Sequence, residues 1–331
     1  MIGNPAAGLR RRPGLLEDLR RRLEQDGIRA SIHQTVGPGD AVRVARGAAV
    51  SRAFDAVLAV GGDGTVHEVA NGLACSPVPL GVVPTGTMNI LARELGLPLD
   101  PLKSVEGLRH FRPVVVTMGL AKGAPAARRG DRAEGTAAPE TYFLLMAGAG
   151  FDAFALSVAL GRAGDRKLTM LRYTLAALEA AGRFPFSPIE LIADGEVMRG
   201  TSAIIGNVPR YGANLPITPR ADPFDPFLDL CVFLGRGAPS YFFTFASLML
   251  GGRHVGRRDV AYRKARRIEI REGSRATEKP GSGPPARALV QMDGELYGTL
   301  PVTVEARPGA LRILAPPGWP TARRRRRWGG P

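Results

Sequence analysis

Phe54-Asp55-Ala56-Val57-Leu58-Ala59-Val60-Gly61-Gly62-Asp63-Gly64-Thr65 is an apolar run that breaks into three glycines within four positions. The run reads as a buried strand, and the residues after it begin a helix. Glycines at such a junction let the backbone approach a bulky anion and adopt positive φ, and the helix start aims its free N–H groups at that anion. Phosphate is the natural guest. An aspartate among phosphate-binding glycines needs its charge offset, which a Mg²⁺ ion carried by a nucleotide would do. Taken alone, the stretch also fits a structural strand-to-helix turn, since Gly, Asp and Thr are ordinary turn and N-cap residues.

The neighbouring segments favour the ligand reading. Asn4-Pro5-Ala6-Ala7-Gly8 is another small-residue turn before a helix, and Pro79-Leu80-Gly81-Val82-Val83-Pro84 is a short buried strand running into Thr85-Gly86-Thr87-Met88-Asn89. Three strand–loop–helix units place their loops together at the carboxyl edge of a parallel sheet, where such folds bind ligands. Between them, Leu15 to Leu23 reads as a basic helix, Ala30 to Gln34 as a short strand ending at Thr35, and Asp40 to Ala49 as a second helix. The first strand is clipped to Met1-Ile2-Gly3, which suggests an upstream start or a poorly supported sheet edge.

From Val114 the texture changes. Val114 to Thr117 and Tyr142 to Ala147 are strand-like, with a Gly/Ala/Arg/Pro-rich loop over residues 121–140 between them. Strand-like runs at Ile189 to Ala193, Thr201 to Ile205, Leu228 to Leu234, Arg267 to Arg271, Leu289 to Met292 and Leu311 to Leu314 predict a mainly antiparallel second domain. Residues 272–287 form a second low-complexity loop. Leu168, Leu171, Leu175 and Leu178 make a helical stripe that reads as core-facing. The predicted domains are residues 1–115, 116–318 and a basic tail at 319–331.

Composition bounds the function. At 331 residues and 44% apolar content the chain supports two globular cores, and 45 Lys plus Arg against 30 Asp plus Glu gives a net charge of +15. Aromatics make up only 6%, too few to interleave with the arginine clusters as a nucleic-acid binder requires, so no nucleic acid is expected. An anionic membrane surface suits the charge better. Arg10-Arg11-Arg12, Arg20-Arg21-Arg22, Arg128-Arg129, Arg257-Arg258, Arg266-Arg267 and Arg323 to Arg327 carry it, although the last run with Trp328 reads equally as a solvated tail. No segment reaches the ~20 apolar residues of a membrane span, and no secretory leader precedes the Asn-Pro turn. Cys75 and Cys231 lie in apolar surroundings without metal-ligand spacing and read as buried, reduced thiols. The expected location is cytoplasmic, peripheral to the inner face of the membrane.

Asn4-Pro5-x-x-Gly8, Gly61-Gly62-Asp63-Gly64-Thr65-Val66-His67-Glu68-Val69-x-Asn71-Gly72, Pro79-Leu80-Gly81-x-x-Pro84-x-Gly86-Thr87-x-Asn89 and a late Asp293-Gly294-Glu295 together resemble the diacylglycerol kinase catalytic-domain family, which includes bacterial soluble lipid kinases and sphingosine and ceramide kinases. The resemblance runs in order along nearly the whole chain. It implies a Rossmann-like α/β domain of the NAD kinase/phosphofructokinase kind followed by a β-sandwich-like domain. It also implies transfer of the γ-phosphoryl group of ATP to a hydroxyl of a membrane lipid such as diacylglycerol. NAD kinases share Gly-Gly-Asp-Gly, but the Pro84-x-Gly86-Thr87-x-Asn89 block and the late Asp-Gly-Glu argue against that assignment. A catalytically weak lipid- or membrane-surface-binding protein on the same fold is the other alternative. Oligomeric state, a homodimer included, is left open.

Under the resemblance, Gly61, Gly62, Asp63, Gly64, Thr65, Val66, His67, Gly86, Thr87 and Thr35 line the ATP phosphates and ribose side, with Asn4 nearby. Asp63 acts through Mg²⁺, and Glu295 is the general base that takes the proton of the lipid hydroxyl. Asp293-Gly294-Glu295 reads equally as a hairpin turn, and Asp194-Gly195-Glu196 is a decoy in a similar context. The family places a structural Mg²⁺ at Asp222-Pro223-Phe224-Asp225-Pro226-Phe227, held by the Asp225 carboxylate and the backbone oxygens of Asp222 and Phe227. The same residues read as an acidic, Pro-rich surface turn, and Pro226 stands where the family usually has Gly. Two further departures are Thr117, where bacterial members commonly carry an Asp linked to the catalytic metal, and Leu145, where Asn is common. The role of the missing Asp could pass to Asp152.

Overall fold

The computed structural model describes residues 1–5, 12–125, 140–163, 170–210, 215–235, 237–273 and 287–319. Gly8, Arg10, Arg11, Arg128-Arg129, Leu168, most of the two low-complexity stretches, the Arg323 to Arg327 run and Trp328 lie outside the described residues, as does the side chain of Leu171. The chain divides into two units, one of residues 1–116 with 309–331 and one of residues 117–308.

In the first unit, β1 (Ile2–Gly3), α1 (Leu15–Gln25), β2 (His33–Gln34), α2 (Asp40–Ser51), β3 (Val57–Gly61), α3 (Asp63–Leu73), β4 (Leu80–Pro84), α4 (Ile90–Glu94) and α5 (Pro101–Ser104) follow in turn. The strands lie parallel in the order β4-β3-β1-β2. Strand β1 is only two residues long yet pairs on both sides, Gly3 with Gln34 and with Val60, so it is not a sheet edge. Helix α1 carries its leucines at positions 15, 16, 19 and 23, one stripe of a 3.6-residue period, with Glu17 and Asp18 in the first turn and Arg22 in the last as the helix dipole favours. That stripe is buried against Leu58, Val60, Val83 and Val105.

In the chain's second half, β5 (Arg112–Pro125), β6 (Thr141–Phe143), β7 (Met146–Ala149), α6 (Phe151–Ala163), α7 (Met170–Arg183), β8 (Ile189–Ala193), β9 (Glu196–Gly200), β10 (Ser202–Gly206), β11 (Leu228–Phe233), α8 (Ala238–Met249), β12 (Val260–Ala265), β13 (Arg267–Glu272), β14 (Leu289–Met292) and β15 (Glu295–Ala315) follow. The second unit is antiparallel. Strands β12, β11, β10, β7, β14 and β15 pair in that order, while β13 pairs β15 and β8, and β8 pairs β9. Ile189 and Leu191 of β8 and Ile268 and Ile270 of β13 share one core with Ile205, Leu230, Val232, Val290 and Met292, as the inner faces of a sandwich do.

Three details differ from the sequence reading. Leu311 to Leu314 belongs to the first unit, where Ile313 pairs in parallel with Leu80 and Ala310 accepts a hydrogen bond from the Cys75 amide at 2.7 Å. An apolar run fixes a strand but not its partner. Among the described side chains of α7, Ala176 and Ala180 are buried, whereas Leu175 and Leu178 are 51% and 58% exposed. Small alanines bring α7 close to its neighbour and leave the leucines facing outward. Of the two free cysteines, Cys231 is buried, which pushes its thiol up to about 12, but Cys75 is exposed at a turn of φ 60°.

Candidate functional site

The parallel register sets the first unit's site. Gly3, Gln34 and Val60 sit at one level of the sheet, and Val60 pairs onward with Val83. The next residues, Asn4, Thr35, Gly61 and Pro84, therefore leave the strands at the same edge. The Asn4 amide donates to Val60 O at 3.2 Å, and the Thr35 amide to Gly3 O at 2.9 Å. Thr85 N donates to Gly61 O at 2.9 Å, which joins the turn after β4 to the turn after β3.

The two glycine turns touch. A Cβ on Gly86 would lie 2.5 Å from Gly62 Cα, so only glycine allows this approach. Asn89 fastens Gly86 from the other side: its Oδ1 accepts from Gly86 N at 3.0 Å, and its Nδ2 donates to Gly86 O at 2.9 Å. The Asp63 carboxylate accepts from Ile90 N at 2.7 Å, anchoring the start of α4. Helix α3 begins after Gly62 with no side chain capping it, so its first turn presents amide groups with the positive end of the helix dipole.

The predicted contact set divides here. Gly62, Asp63 and Gly64 are partly open, Gly86 likewise, and Thr87 is exposed. Thr65, Val66 and His67 are buried, so what this turn offers a ligand is backbone from Gly62 to Gly64. Thr65 Oγ1 is buried without a hydrogen-bond partner. Glu68, which stands inside the motif, serves the scaffold instead. Its carboxylate accepts from Gly39 N and Ala41 N at 3.1 and 3.2 Å, holding the start of α2.

Asp40 shapes the segment that carries Thr35. His33 Nε2 at 2.9 Å, Arg43 Nη2 at 2.6 Å and Val36 N at 3.1 Å all donate to its buried carboxylate. These donors hold the Asp40 pKa down to about 2, the His33 bond contributing most. A depressed carboxylate gives stability that is complete above its unfolded pKa near ~4 and is lost as pH falls toward the folded value. Urea midpoints of the wild type and Asp40→Asn are expected to differ at neutral pH and to converge between about pH 4 and pH 2.

In the second unit, Asp293-Gly294 forms the β14–β15 turn with φ of 49° and 86°. The Asp293 carboxylate is buried and accepts from Leu144 N, Leu145 N and Met146 N at 2.8, 2.8 and 2.9 Å. These amides lie where the predicted strand Tyr142 to Ala147 breaks into β6 and β7. Glu295 follows on the exposed first residue of β15. The decoy turn has the same backbone, with Asp194 at φ 47° and Gly195 at 91°, but Asp194 is exposed and accepts from Arg266 N and Arg267 N. Glu196 pairs with Arg263 at 2.5 Å. Asp152 is buried and accepts from Gln291 Nε2 at 2.7 Å.

The predicted structural cation meets a different arrangement. Asp225 Oδ1 accepts from Phe227 N at 3.1 Å, and Oδ2 is paired with Lys264 Nζ. Asp222 O accepts from Asp225 N at 3.1 Å, and Asp225 O from Thr117 Oγ1 at 2.7 Å. Arg266 stacks over the Phe227 ring at 4.9 Å. No group of three or more His, Cys, Asp or Glu able to hold a metal exists among the described residues. The one carboxylate assigned to a resident Mg²⁺, Asp225, is thus engaged by a lysine and by the Phe227 amide, and the Asp222 carbonyl by the turn itself, an arrangement that fits an internal ion pair better than that ion. Asp63 fits a nucleotide-borne Mg²⁺, which asks for only one or two carboxylates besides phosphate oxygens.

Lys264 was not singled out by sequence. The signal available was its place in an alternating strand opposite an acidic residue, in a chain with only five lysines.

Comparison with known proteins also separates an N-terminal from a C-terminal part of the chain. The family described as Diacylglycerol kinase catalytic domain matches residues 1–120, and the YegS C-terminal NAD kinase beta sandwich-like domain matches residues 146–315. A diacylglycerol kinase of Mycobacterium tuberculosis is 31% identical over 302 residues, covering 89% of this chain and 87% of that protein. A diacylglycerol kinase of Bacillus subtilis is 28% identical over 306 residues, with 91% and 90% covered. A crystal structure described as that of a diacylglycerol kinase from Bacillus anthracis has the same fold, with a TM-score of 0.63 at 20% identity, covering 96% of each chain.

Proposed function

The chain belongs to the diacylglycerol kinase catalytic-domain family, and we propose that it is an ATP-dependent lipid kinase that transfers the γ-phosphoryl group to a hydroxyl of a membrane lipid such as diacylglycerol. The observation that carries this reading is the joined pair of glycine turns, Gly61–Gly64 and Gly86, at the carboxyl edge of the parallel sheet and at the uncapped start of α3.

Phosphoryl transfer asks for positioning and charge neutralisation more than covalent help. The backbone N–H groups of Gly62 to Gly64 receive the phosphate oxygens, Asn4, Thr35 and Thr87 border the nucleotide, and the Gly62–Gly86 contact keeps side chains out of its way. Asp63, whose carboxylate is held by Ile90 N, stands within the turn that receives the phosphates. Asp63 would hold a Mg²⁺ carried by ATP, which would supply charge neutralisation at the phosphates. Glu295 accepts the proton of the attacking lipid hydroxyl.

The second unit supports a lipid acceptor. Phe151, Ile204, Phe233, Tyr241, Phe245 and Leu248 line an apolar pocket with a cavity volume of about 160 Å³. Phe242 and Phe243 of α8 are 63% and 57% exposed, and Arg253 and Arg258 beyond the helix are exposed. Exposed aromatics beside arginines suit the anionic inner face of a membrane. No helix among the described residues is long and apolar enough to cross one.

Purified protein with γ-labelled ATP, MgCl₂ and vesicles carrying diacylglycerol, sphingoid base, ceramide or phosphatidylglycerol is expected to label lipid, and Asp63→Ala to remove the label while the protein stays folded. Label on NAD and on no lipid, or ATP left intact with every lipid, would overturn the reading.

A further inference from the structure

We infer that Lys264 is a built-in cation that takes the place of a structural divalent ion at the 222–227 loop, so that the second unit binds no Mg²⁺ there. Register, not a chance rotamer, puts the lysine in position. Asp229 of β11 and Lys264 of β12 are directly opposed in the antiparallel ladder, and opposite charges so placed attract across the strands. From there the ammonium reaches two carboxylates, Asp225 Oδ2 as an ion pair and Asp229 Oδ2 at 3.6 Å.

Asp229 explains why a cation is needed at all. Its side chain is 0% exposed, Tyr262 donates to Oδ1 at 2.8 Å, and among the described residues Oδ2 has no hydrogen-bond partner. A buried carboxylate oxygen next to a second carboxylate calls for positive charge. A metal ion or an ammonium would serve. Lysine supplies a compact point charge, as an ion does, whereas arginine supplies a planar fork. In a chain whose 45 basic residues include only five lysines, the residue at this position has the ion-like form.

The rest of the loop is closed by the chain's own donors. Thr117 N donates to Pro223 O at 2.7 Å and Thr117 Oγ1 to Asp225 O, while Asn207 Nδ2 donates to Thr117 O at 2.8 Å. Thr117, which stands where the resemblance expects an acid, therefore ties this loop to β5. Lysine and threonine together hold the loop without a metal. This inference stands whether or not the chain phosphorylates lipids, since it concerns the second unit's own cation balance.

Thermal unfolding of the full chain, freed of nucleotide and divalent ions, tests it. The wild-type transition is expected to ignore millimolar MgCl₂ beyond what NaCl of equal ionic strength does, apart from any shift that Asp225→Asn leaves in place. Lys264→Ala is expected to unfold about 2–8 °C lower and to regain part of that loss in MgCl₂ or MnCl₂, because removal of the ammonium opens an oxygen-lined space. The double variant Lys264→Ala with Asp225→Asn is expected to lose the metal response. A wild type stabilised by MgCl₂ through Asp225, with the effect absent in Asp225→Asn, would overturn the inference, and that comparison decides it even if Lys264→Ala does not fold.

Discussion

Glu295→Ala is expected to lower lipid-kinase turnover by about 10²–10⁴-fold, the usual contribution of a general base, with no change in the urea midpoint. Glu295 is an exposed residue at the start of β15, where truncation costs little stability. Asp293→Ala, two residues earlier, is expected to behave in the opposite way. It strips the acceptor from the amides of Leu144, Leu145 and Met146. Each buried donor left unpaired costs about 1–3 kcal/mol, so the variant loses several kcal/mol and the second unit unfolds early in a urea titration. Glu196→Ala removes an exposed pair with Arg263 and is expected to change neither quantity beyond about 1 kcal/mol or a factor of two. Full turnover in folded Glu295→Ala would end its assignment as base. An inactive but folded Glu196→Ala would move the chemistry to the other hairpin.

The contrast between these hairpins marks how far sequence alone reaches. Both read Asp-Gly-Glu between alternating strands, and both adopt the same positive-φ turn, so local chemistry predicts the backbone of each correctly. What separates them is whether the aspartate is swallowed, and that depends on amides 147 to 149 residues away. The glycine turn after β3 was legible because its signal is local: an apolar strand, then residues that favour a tight turn into a helix. The parallel sheet, though not its order β4-β3-β1-β2, followed from three such units. The parallel partner of Leu311 to Leu314 did not, because a strand pattern carries no record of its neighbour. For the same reason the pairing of Asp225 with Lys264 was not legible, since the lysine lies 39 residues away and meets it only through the β11–β12 register. Glu68, within the matched motif, has a carboxylate that caps another helix, a scaffold role that its place in the motif does not disclose.

Gly86→Ala tests the nucleotide site without touching a charge. Its Cβ would fall 2.5 Å from Gly62 Cα and 2.9 Å from Asn89 Oδ1. The first of these neighbours is backbone and cannot rotate aside, and the second is held by the paired bonds between Asn89 and Gly86. The methyl must therefore push the β4–α4 turn away from the β3–α3 turn, at a cost of about 1–3 kcal/mol for overpacking of this kind. Displacement falls on the amides that receive the phosphates, so the dissociation constant for ATP or ADP is expected to rise by roughly 5–150-fold, the same energy read as affinity. Gly37→Ala is the control, since nothing lies within 4 Å of its added carbon. Calorimetric titration of ADP into both folded variants gives the answer. A Gly86→Ala protein that binds nucleotide as tightly as Gly37→Ala would place the phosphates elsewhere, because no ligand seated on these two turns could escape their separation.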